Sequence, residues 1–192
     1  MRYDKGHKEA TRERIIDVAA RQFRQDGVAA VGLAGIMADA GLTNGAFYTH
    51  FESKDDLVQA VLSKALAKRE TTLRTAAESA SGLEASIRDY LSPRHRDNPG
   101  GGCPTAAMVA EIARAPRATR EAFTGKVSQF IALIAGQLRA GSVAERRQSA
   151  IAIYGIMVGA LQLARAVNDR QLSDEILENG VSAALALASG KR

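Results

Sequence analysis

The sequence predicts an all-α protein. Ala and Leu are abundant among the 192 residues and aromatic residues make up only 5%, a balance that favours helices over sheets. Apolar residues recur at three- and four-residue spacing along much of the chain. All four prolines lie between residues 93 and 116, so long helices can form on either side of that segment. We expect about nine helices.

The first helix is predicted over Thr11–Gln25, where Ile15, Ala19 and Phe23 share one face. Asp26-Gly27 ends it. The preceding residues 1–8, MRYDKGHK, carry several cations and are expected to form a flexible arm that is either solvated or bound to DNA.

Two short helices joined by a glycine turn are predicted next, in LAGIMADAGLTNGAFYTHFESK (residues 33–54). Apolar residues from Leu33 to Ala40 occupy one helix face, and Gly41 follows where a helix end favours a left-handed residue. Thr43 occupies an N-cap position, with its hydroxyl available to a backbone N–H of a helix that runs to about His50. This arrangement is that of a helix-turn-helix, whose second helix enters the DNA major groove.

The run A-G-L-T-N-G-A-F-Y-T-H-F-E-S-K-D-D-L, from Ala40 to Leu57, closely resembles the DNA-binding signature of TetR-family transcriptional repressors. The resemblance covers about the first 60 residues. It implies a three-helix DNA-binding domain over residues 1–52 and a helical effector-binding and dimerisation domain over 53–192. Gly32 and Met37 depart from the family pattern, which has Ser or Thr and a small residue at these positions.

The resemblance and the side-chain chemistry together predict the DNA contacts. Tyr48 matches a family tyrosine that binds phosphate, Asn44 and Thr49 are suited to base edges, and Gly45 permits close approach. His50 and Lys54 are further phosphate candidates. The predicted DNA-binding residues are Thr43, Asn44, Gly45, Tyr48, Thr49, His50 and Lys54. Phe47 and Phe51 are interpreted as core, together with Phe23 and Ile36.

The rest of the chain is predicted to form a helical body. A long helix, opened by the capping signal Ser53 and Asp56, runs towards Ala77. The expected segments after it are a helix over Leu83–Leu91, a loop over Ser92–Gly102, and helices over Thr105–Arg114, Ala118–Leu138, Ala144–Asn168 and Ser173–Ala188.

The last two helices are apolar nearly all round and carry small residues every four positions, including Gly155, Gly159 and Gly180. They form either a buried hairpin within one monomer or a homodimer interface made by a four-helix bundle. The family resemblance implies the homodimer.

An effector cavity is expected among the helices from Leu83 to Leu138. Its candidate lining residues, each also interpretable as ordinary core, are Tyr90, Cys103, Met108, Ile112, Phe123, Val127 and Phe130. Few charges lie near them, which favours a small, largely apolar effector. Cys103 is either a small buried hydrophobe at a helix start or a thiol that senses oxidants or electrophiles.

Other functional classes find little support. The sequence has no nucleophile elbow or paired carboxylates, and His95-Arg96-Asp97 lacks the other kinase motifs, so we do not expect an enzyme. Three histidines and one cysteine form no metal cluster, and no cofactor is expected. No signal peptide is evident, and the apolar run Ser149–Ala164 is shorter than the roughly 20 residues of a membrane span. A cytoplasmic location is expected, and the net charge of +5 suits a nucleic-acid partner.

The sequence therefore predicts a ligand-responsive transcriptional regulator, most simply a homodimeric repressor of a pseudo-palindromic operator on double-stranded DNA. One alternative is a repressor that senses oxidants or electrophiles through Cys103. A second is a helical interaction module that does not bind DNA.

Overall fold

The computed structural model describes residues 5–77 and 82–190, and within these ranges it contains helices and no β-strand. The elements are α1 (Lys5–Asp26), α2 (Leu33–Asp39), a 3-10 helix (Asn44–Thr49), α3 (Lys54–Ala77), α4 (Gly82–Tyr90), α5 (Pro93–Arg96), α6 (Pro104–Ile112), α7 (Arg117–Gln137), α8 (Val143–Ala166) and α9 (Arg170–Ala188). The all-α prediction is confirmed.

The helical start at Lys5 corrects the prediction of a flexible arm for residues 5–8; residues 1–4 lie outside the described ranges. No proline interrupts this stretch, and a single glycine, Gly6, costs a helix only about 1 kcal/mol. Extending an existing helix is much easier than nucleating a new one, so α1 continues towards the N-terminus.

The N-terminal helices enclose a small aromatic core. Phe23, Ile36, Phe47 and Phe51 are all at most 2% exposed, as the sequence predicted. Gly41 lies at φ +68° directly after α2, which confirms the left-handed turn predicted there.

Helix α3 joins this core to the rest of the molecule. Its first turn is capped as predicted, since the Ser53 hydroxyl accepts from the Asp56 N–H at 3.1 Å. Leu57 and Val61 are fully buried in the same hydrophobic cluster as Phe47, and Met108 of α6 and Phe130 of α7 complete that cluster. The first core therefore crosses residue 52, and the domain boundary proposed there stays a prediction.

The segment Ser92–Gly102, predicted as a loop, contains the one-turn helix α5. Ser92 caps it by accepting from the His95 N–H at 3.2 Å, and Pro93 occupies its first position, where the missing N–H costs nothing. The guanidinium of Arg96 is buried and binds Ser173 at 2.8 Å and Asp174 at 2.5 Å. These bonds connect α5 to the start of α9.

Helices α8 and α9 pack as an antiparallel hairpin around a second core, which includes Ile153, Leu161 and Leu177. A Cβ placed on Gly180 would lie 2.9 Å from the Cβ of Ala160, so this glycine permits close packing of the two helices within one chain. By length and mean hydropathy α8 as a whole resembles a membrane span, although its longest uncharged run is shorter. About 28% of its apolar window is buried in the monomer.

Candidate nucleic-acid interface and ligand cavity

The element after the glycine turn is a 3-10 helix over Asn44–Thr49, where the sequence predicted an ordinary helix over Thr43–His50. Its backbone bonds are short-range: the Ala46 N–H donates to the Thr43 carbonyl at 3.0 Å. The Thr49 hydroxyl also donates to the Ala46 carbonyl at 2.7 Å. A 3-10 helix rises about 2.0 Å per residue, so the six residues still span about 12 Å, comparable with the width of a major groove.

Two neighbouring aromatic residues of this helix have opposite roles. Phe47 is fully buried, whereas Tyr48 is 69% exposed and meets the edge of the Phe47 ring at a centroid distance of 5.2 Å. The Tyr48 hydroxyl is thus held outward on a ring supported from behind. Asn44 and Gly45 are exposed, and no atom of residues 5–77 or 82–190 lies within 4 Å of a Cβ placed on Gly45.

The hydroxyl of Thr43 makes no side-chain cap bond, although the residue has the extended conformation of an N-cap. The predicted capping bond is therefore wrong. In the 3-10 geometry the Ala46 N–H, which the hydroxyl would otherwise accept from, donates to the Thr43 carbonyl instead. Its exposed hydroxyl is left available to a partner.

His50 and Lys54 are placed differently from the outward-facing residues. His50 is half-buried, and its buried Nδ1 atom has no hydrogen-bond partner in the part of the chain that the structure describes. Burial, followed by nearby Lys8 and Arg12, lowers its pKa. The ammonium of Lys54 donates to the Val28 carbonyl at 2.6 Å and lies 6.0 Å from the Phe23 ring centroid. Lys54 thus fastens the loop that leads into α2, and its phosphate contact stays a prediction.

Sequence reasoning missed a second fastening of the same loop. The Ala29 N–H donates to Glu111 Oε1 at 3.0 Å, although the two residues are 82 positions apart. Glu111 belongs to the last turn of α6, whose N-cap is Cys103. No local pattern marks Glu111, so only the folded arrangement identifies it.

The body contains a small cavity with room for about one water molecule. Of the seven predicted lining residues, Tyr90, Cys103 and Phe130 border it. Residues that the sequence did not suggest complete its wall; they are Arg69, Leu73, Leu83, Ser86, Ile134, Tyr154 and Met157.

The other four predicted residues do not border this cavity. Met108 and Ile112 are buried in the first core, with Phe123 packed against it, because α6 turns this face towards α1 and α3. Val127 packs against the second core. For Met108 and Ile112 the alternative interpretation as ordinary core is confirmed.

A polar network surrounds Cys103, which is 5% exposed. The Cys103 N–H donates to His95 Nε2 at 2.9 Å, and the other ring nitrogen of His95 lies 2.7 Å from the Tyr90 carbonyl. The imidazole therefore donates from Nδ1 and accepts at Nε2, which is the neutral tautomer. Tyr154 donates to the Thr105 hydroxyl at 3.0 Å.

The hydroxyl of Tyr90 is buried and has no hydrogen-bond partner among the described residues. Burial raises the pKa of this phenol well above its usual value, and the neighbouring Cys103 thiol adds to the effect. The hydroxyl is thus protonated, and the group beside it is the Cys103 thiol, a weak acceptor.

A polar cleft of about 380 Å³ adjoins the cavity and shares Arg69 and Cys103 with it. It lies between α1, α3 and the segment Asp89–Pro104. Among the described residues no group of three or more His, Cys, Asp or Glu side chains is placed to hold a metal ion.

Comparison with known families gives a match over both halves of the chain. Residues 15–61 match the model described as bacterial regulatory proteins, tetR family. Residues 79–179, more than half of the chain, match the tetracyclin repressor-like C-terminal domain. The chain belongs to the TetR family.

Named relatives of this TetR-family chain are transcriptional regulators rather than enzymes. A probable regulator from Pseudomonas putida, ArpR, is 42% identical over 84 residues, which are 44% of this chain and 40% of ArpR. The repressor BepR from Brucella suis is 38% identical over 95 residues, which are 50% of this chain and 41% of BepR. The chain thus matches about two fifths of the length of these relatives.

Solved structures share the TetR fold over nearly the whole chain. The reduced form of Escherichia coli NemR is 23% identical with a TM-score of 0.77, covering 91% of this chain and 95% of NemR. A regulator from Agrobacterium tumefaciens is 19% identical with a TM-score of 0.76, covering 92% and 98%. At these identities the likeness establishes the fold alone.

Proposed function

We propose that the protein is a ligand-responsive repressor that binds a pseudo-palindromic operator as a homodimer and releases it when a small effector occupies the body. The observation that carries the DNA-binding part is the exposed Tyr48, held outward by the buried Phe47 on a six-residue helix. Such a role places the protein in the cytoplasm. Family membership speaks against the alternative of a helical module that does not bind DNA.

The DNA face consists of the outward side of the 3-10 helix. Tyr48 binds a phosphate through its hydroxyl, while Asn44 reaches a base edge and Gly45 permits close approach. Because the Thr49 hydroxyl is bound within the helix, Thr49 offers chiefly its methyl group, which suits a thymine methyl. Thr43 supplies its hydroxyl and amide, and His50 is a neutral donor at the edge of this face.

The dimer forms through α8 and α9. The outer side of α8 exposes Ile151 (47%) and Leu163 (59%). No atom of the described residues lies within 4 Å of a Cβ placed on Gly155 or Gly159. Gly180, by contrast, packs closely against Ala160 of the same chain. We therefore assign the small-residue face of α8 to the partner subunit, which would set the two DNA-reading helices about 34–36 Å apart.

Effector binding is coupled to DNA release through α6. The N-cap of this helix, Cys103, borders the cavity, and its last turn carries Glu111, which holds the Ala29 N–H in front of α2. Nine residues of helix span only about 14 Å, so a small shift at the cavity reaches the DNA-binding helices directly. An effector shifts the equilibrium only by its difference in affinity for the two states.

A thiol-sensing repressor is the second candidate. Cys103, the chain's only cysteine, borders both the cavity and the polar cleft and begins α6. A covalent adduct there would push on the same helix as a bound effector. The fold is shared with NemR, a structure described as a reduced form.

The test is selection of bound sequences from a random duplex pool, with wild type, Tyr48→Ala and Tyr48→Phe in parallel. We expect wild type to enrich a palindromic site. Tyr48→Phe keeps the ring and should bind that site about tenfold more weakly or worse, since a hydrogen bond to a charged group is lost. Lack of enrichment by folded, dimeric wild-type protein would contradict the proposal.

A further inference from the structure

The polar cleft beside the cavity is rich in cations. Five of its lining residues are Lys or Arg and two are Asp, as follows: Arg24, Lys64, Lys68, Arg69 and Arg94, with Asp17 and Asp89. His95 also lines the cleft but is held as the neutral tautomer, and burial lowers its pKa. The cleft therefore has a positive balance of charge.

Both carboxylates of the cleft already have cationic partners. Asp17 pairs with Lys64 at 2.7 Å, and Asp89 pairs with Arg94. Arg24 donates to the Gly100 carbonyl at 2.7 Å. Within the described ranges, the side chains of Lys68 and Arg69 make no hydrogen bond or ion pair, and the contact of Arg69 is with the face of the Tyr90 ring.

Arg69 is the more informative of the two. It is half-buried, and its guanidinium carbon lies 5.1 Å from the centroid of the Tyr90 ring. It borders the open cleft on one side and the apolar cavity on the other. Charged side chains that leave water are usually paired, so a half-buried guanidinium without a partner is unusual.

Tyr90 contributes a second unsatisfied group at the same place. Among the described residues its buried hydroxyl has no oxygen or nitrogen partner and adjoins only the Cys103 thiol, which is a weak acceptor. A buried donor that is satisfied this poorly is destabilising. An acceptor at the rim of the Tyr90 ring would satisfy both this hydroxyl and Arg69. Beyond it the wall is apolar and includes Leu73, Ile134 and Met157.

We propose that the effector is an amphiphilic carboxylate, whose carboxylate binds Arg69 and the Tyr90 hydroxyl and whose hydrocarbon chain enters the apolar cavity. The fork of Arg matches a carboxylate, and Tyr90 donates the additional hydrogen bond. This assignment rests on the proposed function and replaces the expectation of a largely apolar effector with one that carries a negative charge.

The hydrocarbon chain must enlarge the cavity, which by itself holds about one water molecule. Met157 is a flexible side chain that can yield, and Leu73 lies one turn after Arg69 on α3. Entry of the hydrocarbon chain therefore presses on α3, a helix that also contributes residues to the core of the DNA-binding helices.

Isothermal titration of the full chain tests the proposal, with sodium hexanoate and octanoate as probes and octanamide as the uncharged isostere. We expect wild type to bind octanoate at least about tenfold more tightly than octanamide, since charge-assisted hydrogen bonds are the stronger ones. Arg69→Gln should abolish that preference. The control Arg74→Gln removes one positive charge from the same helix at a position outside the cleft, and this variant should keep the preference for octanoate.

Tyr90→Phe keeps the ring and tests the hydroxyl. Octanoate should bind this variant about three- to tenfold more weakly, while its thermal stability stays equal to or above that of wild type because an unsatisfied group is removed. Circular dichroism melts of all variants verify folding.

Three results would each overturn the proposal. Wild type could bind octanoate and octanamide with equal affinity, it could bind neither hexanoate nor octanoate, or Arg69→Gln could keep the preference for octanoate. Operator binding without effector is measured separately. If octanoate binds through Arg69 but leaves the operator complex intact, the ligand assignment stands and the release mechanism of the proposed function fails.

Discussion

The imidazole of His95 accepts a hydrogen bond from the backbone N–H of Cys103 at 2.9 Å. Its other nitrogen donates to the Tyr90 carbonyl at 2.7 Å. One neutral ring thus connects the last residue of α4 to the N-cap of α6, in the wall of the polar cleft. Protonation would place a second N–H against that of Cys103 and remove the bond.

This geometry gives the first prediction, a loss of stability in acid. Burial lowers the pKa of His95 below its ordinary value of 6.5, so the unfolded chain binds the proton more readily. The His95 contribution is complete above pH 6.5 and decreases as the pH falls towards the folded pKa. We expect the unfolding free energy of His95→Asn to fall less steeply than that of wild type between pH 6.5 and 5. Urea titrations at several pH values measure the unfolding free energy of both proteins.

Some pH dependence should remain in His95→Asn because burial also lowers the pKa of His50. Parallel stability curves for wild type and His95→Asn would contradict the assignment of the neutral, bridging ring.

The second prediction concerns Glu111, which holds the loop in front of α2. Glu111→Ala removes the acceptor of the Ala29 N–H and should cost about 1 kcal/mol of unfolding free energy. Operator affinity should fall about three- to tenfold, because the DNA-reading helices lose one fixed point. Glu121→Ala, an exposed Glu of α7 paired with Arg117, is the matched control and should alter neither quantity appreciably.

Substitution of Lys54 separates its structural contact with the Val28 carbonyl from its predicted contact with a DNA phosphate. Its ammonium binds the Val28 carbonyl, so Lys54→Met should lower the unfolding free energy by about 1 kcal/mol. If Lys54 also binds a phosphate, as the sequence predicts, the slope of log operator affinity against log salt should become shallower by about 0.9 in this variant. An unchanged slope would contradict the phosphate contact and leave Lys54 with its structural role alone. Lys126→Met, remote from the DNA face, provides the reference for loss of one charge.

The dimer is tested by filling the open face of α8. Gly155→Leu improves helix propensity at an exposed position, and a Cβ placed there meets no atom of the described residues within 4 Å, so the monomer should stay folded. We expect it to convert the dimer into a monomer by blocking close approach of the partner. Gly125→Leu, at an equally open glycine of α7, should remain dimeric. Analytical ultracentrifugation distinguishes the two, and a dimeric Gly155→Leu would show that the interface lies elsewhere.

Cys103→Ser separates the two candidate functions. The thiol makes no cap bond at the start of α6, so we expect Cys103→Ser to keep operator binding and release by the effector. N-ethylmaleimide should modify the single cysteine of wild type slowly, since it is only 5% exposed. If the reagent releases wild type from DNA but leaves Cys103→Ser bound, the thiol-sensing candidate gains direct support.

Local sequence patterns predicted the DNA-binding part well. The spacing of apolar residues placed Phe23, Ile36, Phe47 and Phe51 in one core, and the position of Gly41 predicted its positive φ. These features depend on residues a few positions apart. The same patterns did not distinguish a 3-10 helix from an α-helix over Asn44–Thr49, because the two differ only in which nearby carbonyl accepts each N–H.

The body was predicted less completely because its chemistry depends on distant contacts. The sequence analysis singled out no role for Arg69, and only packing places it against Tyr90. The bonds of Glu111 to Ala29 and of Arg96 to Asp174 join segments 82 and 78 positions apart. Neither has a local signal, and the turn α5 was hidden by the prolines and glycines around it.

The hydrophobic cluster that crosses residue 52 determines how this regulator can be recombined with others. A chimera joined at residue 52 would inherit Phe47 from one parent and Leu57 and Met108 from the other, so mismatched side chains would meet in one core. It would also separate Val28 from Lys54 and Ala29 from Glu111. Operator specificity should therefore be exchanged by replacing the outward residues of Asn44–Thr49 in place, leaving the shared core with its native body.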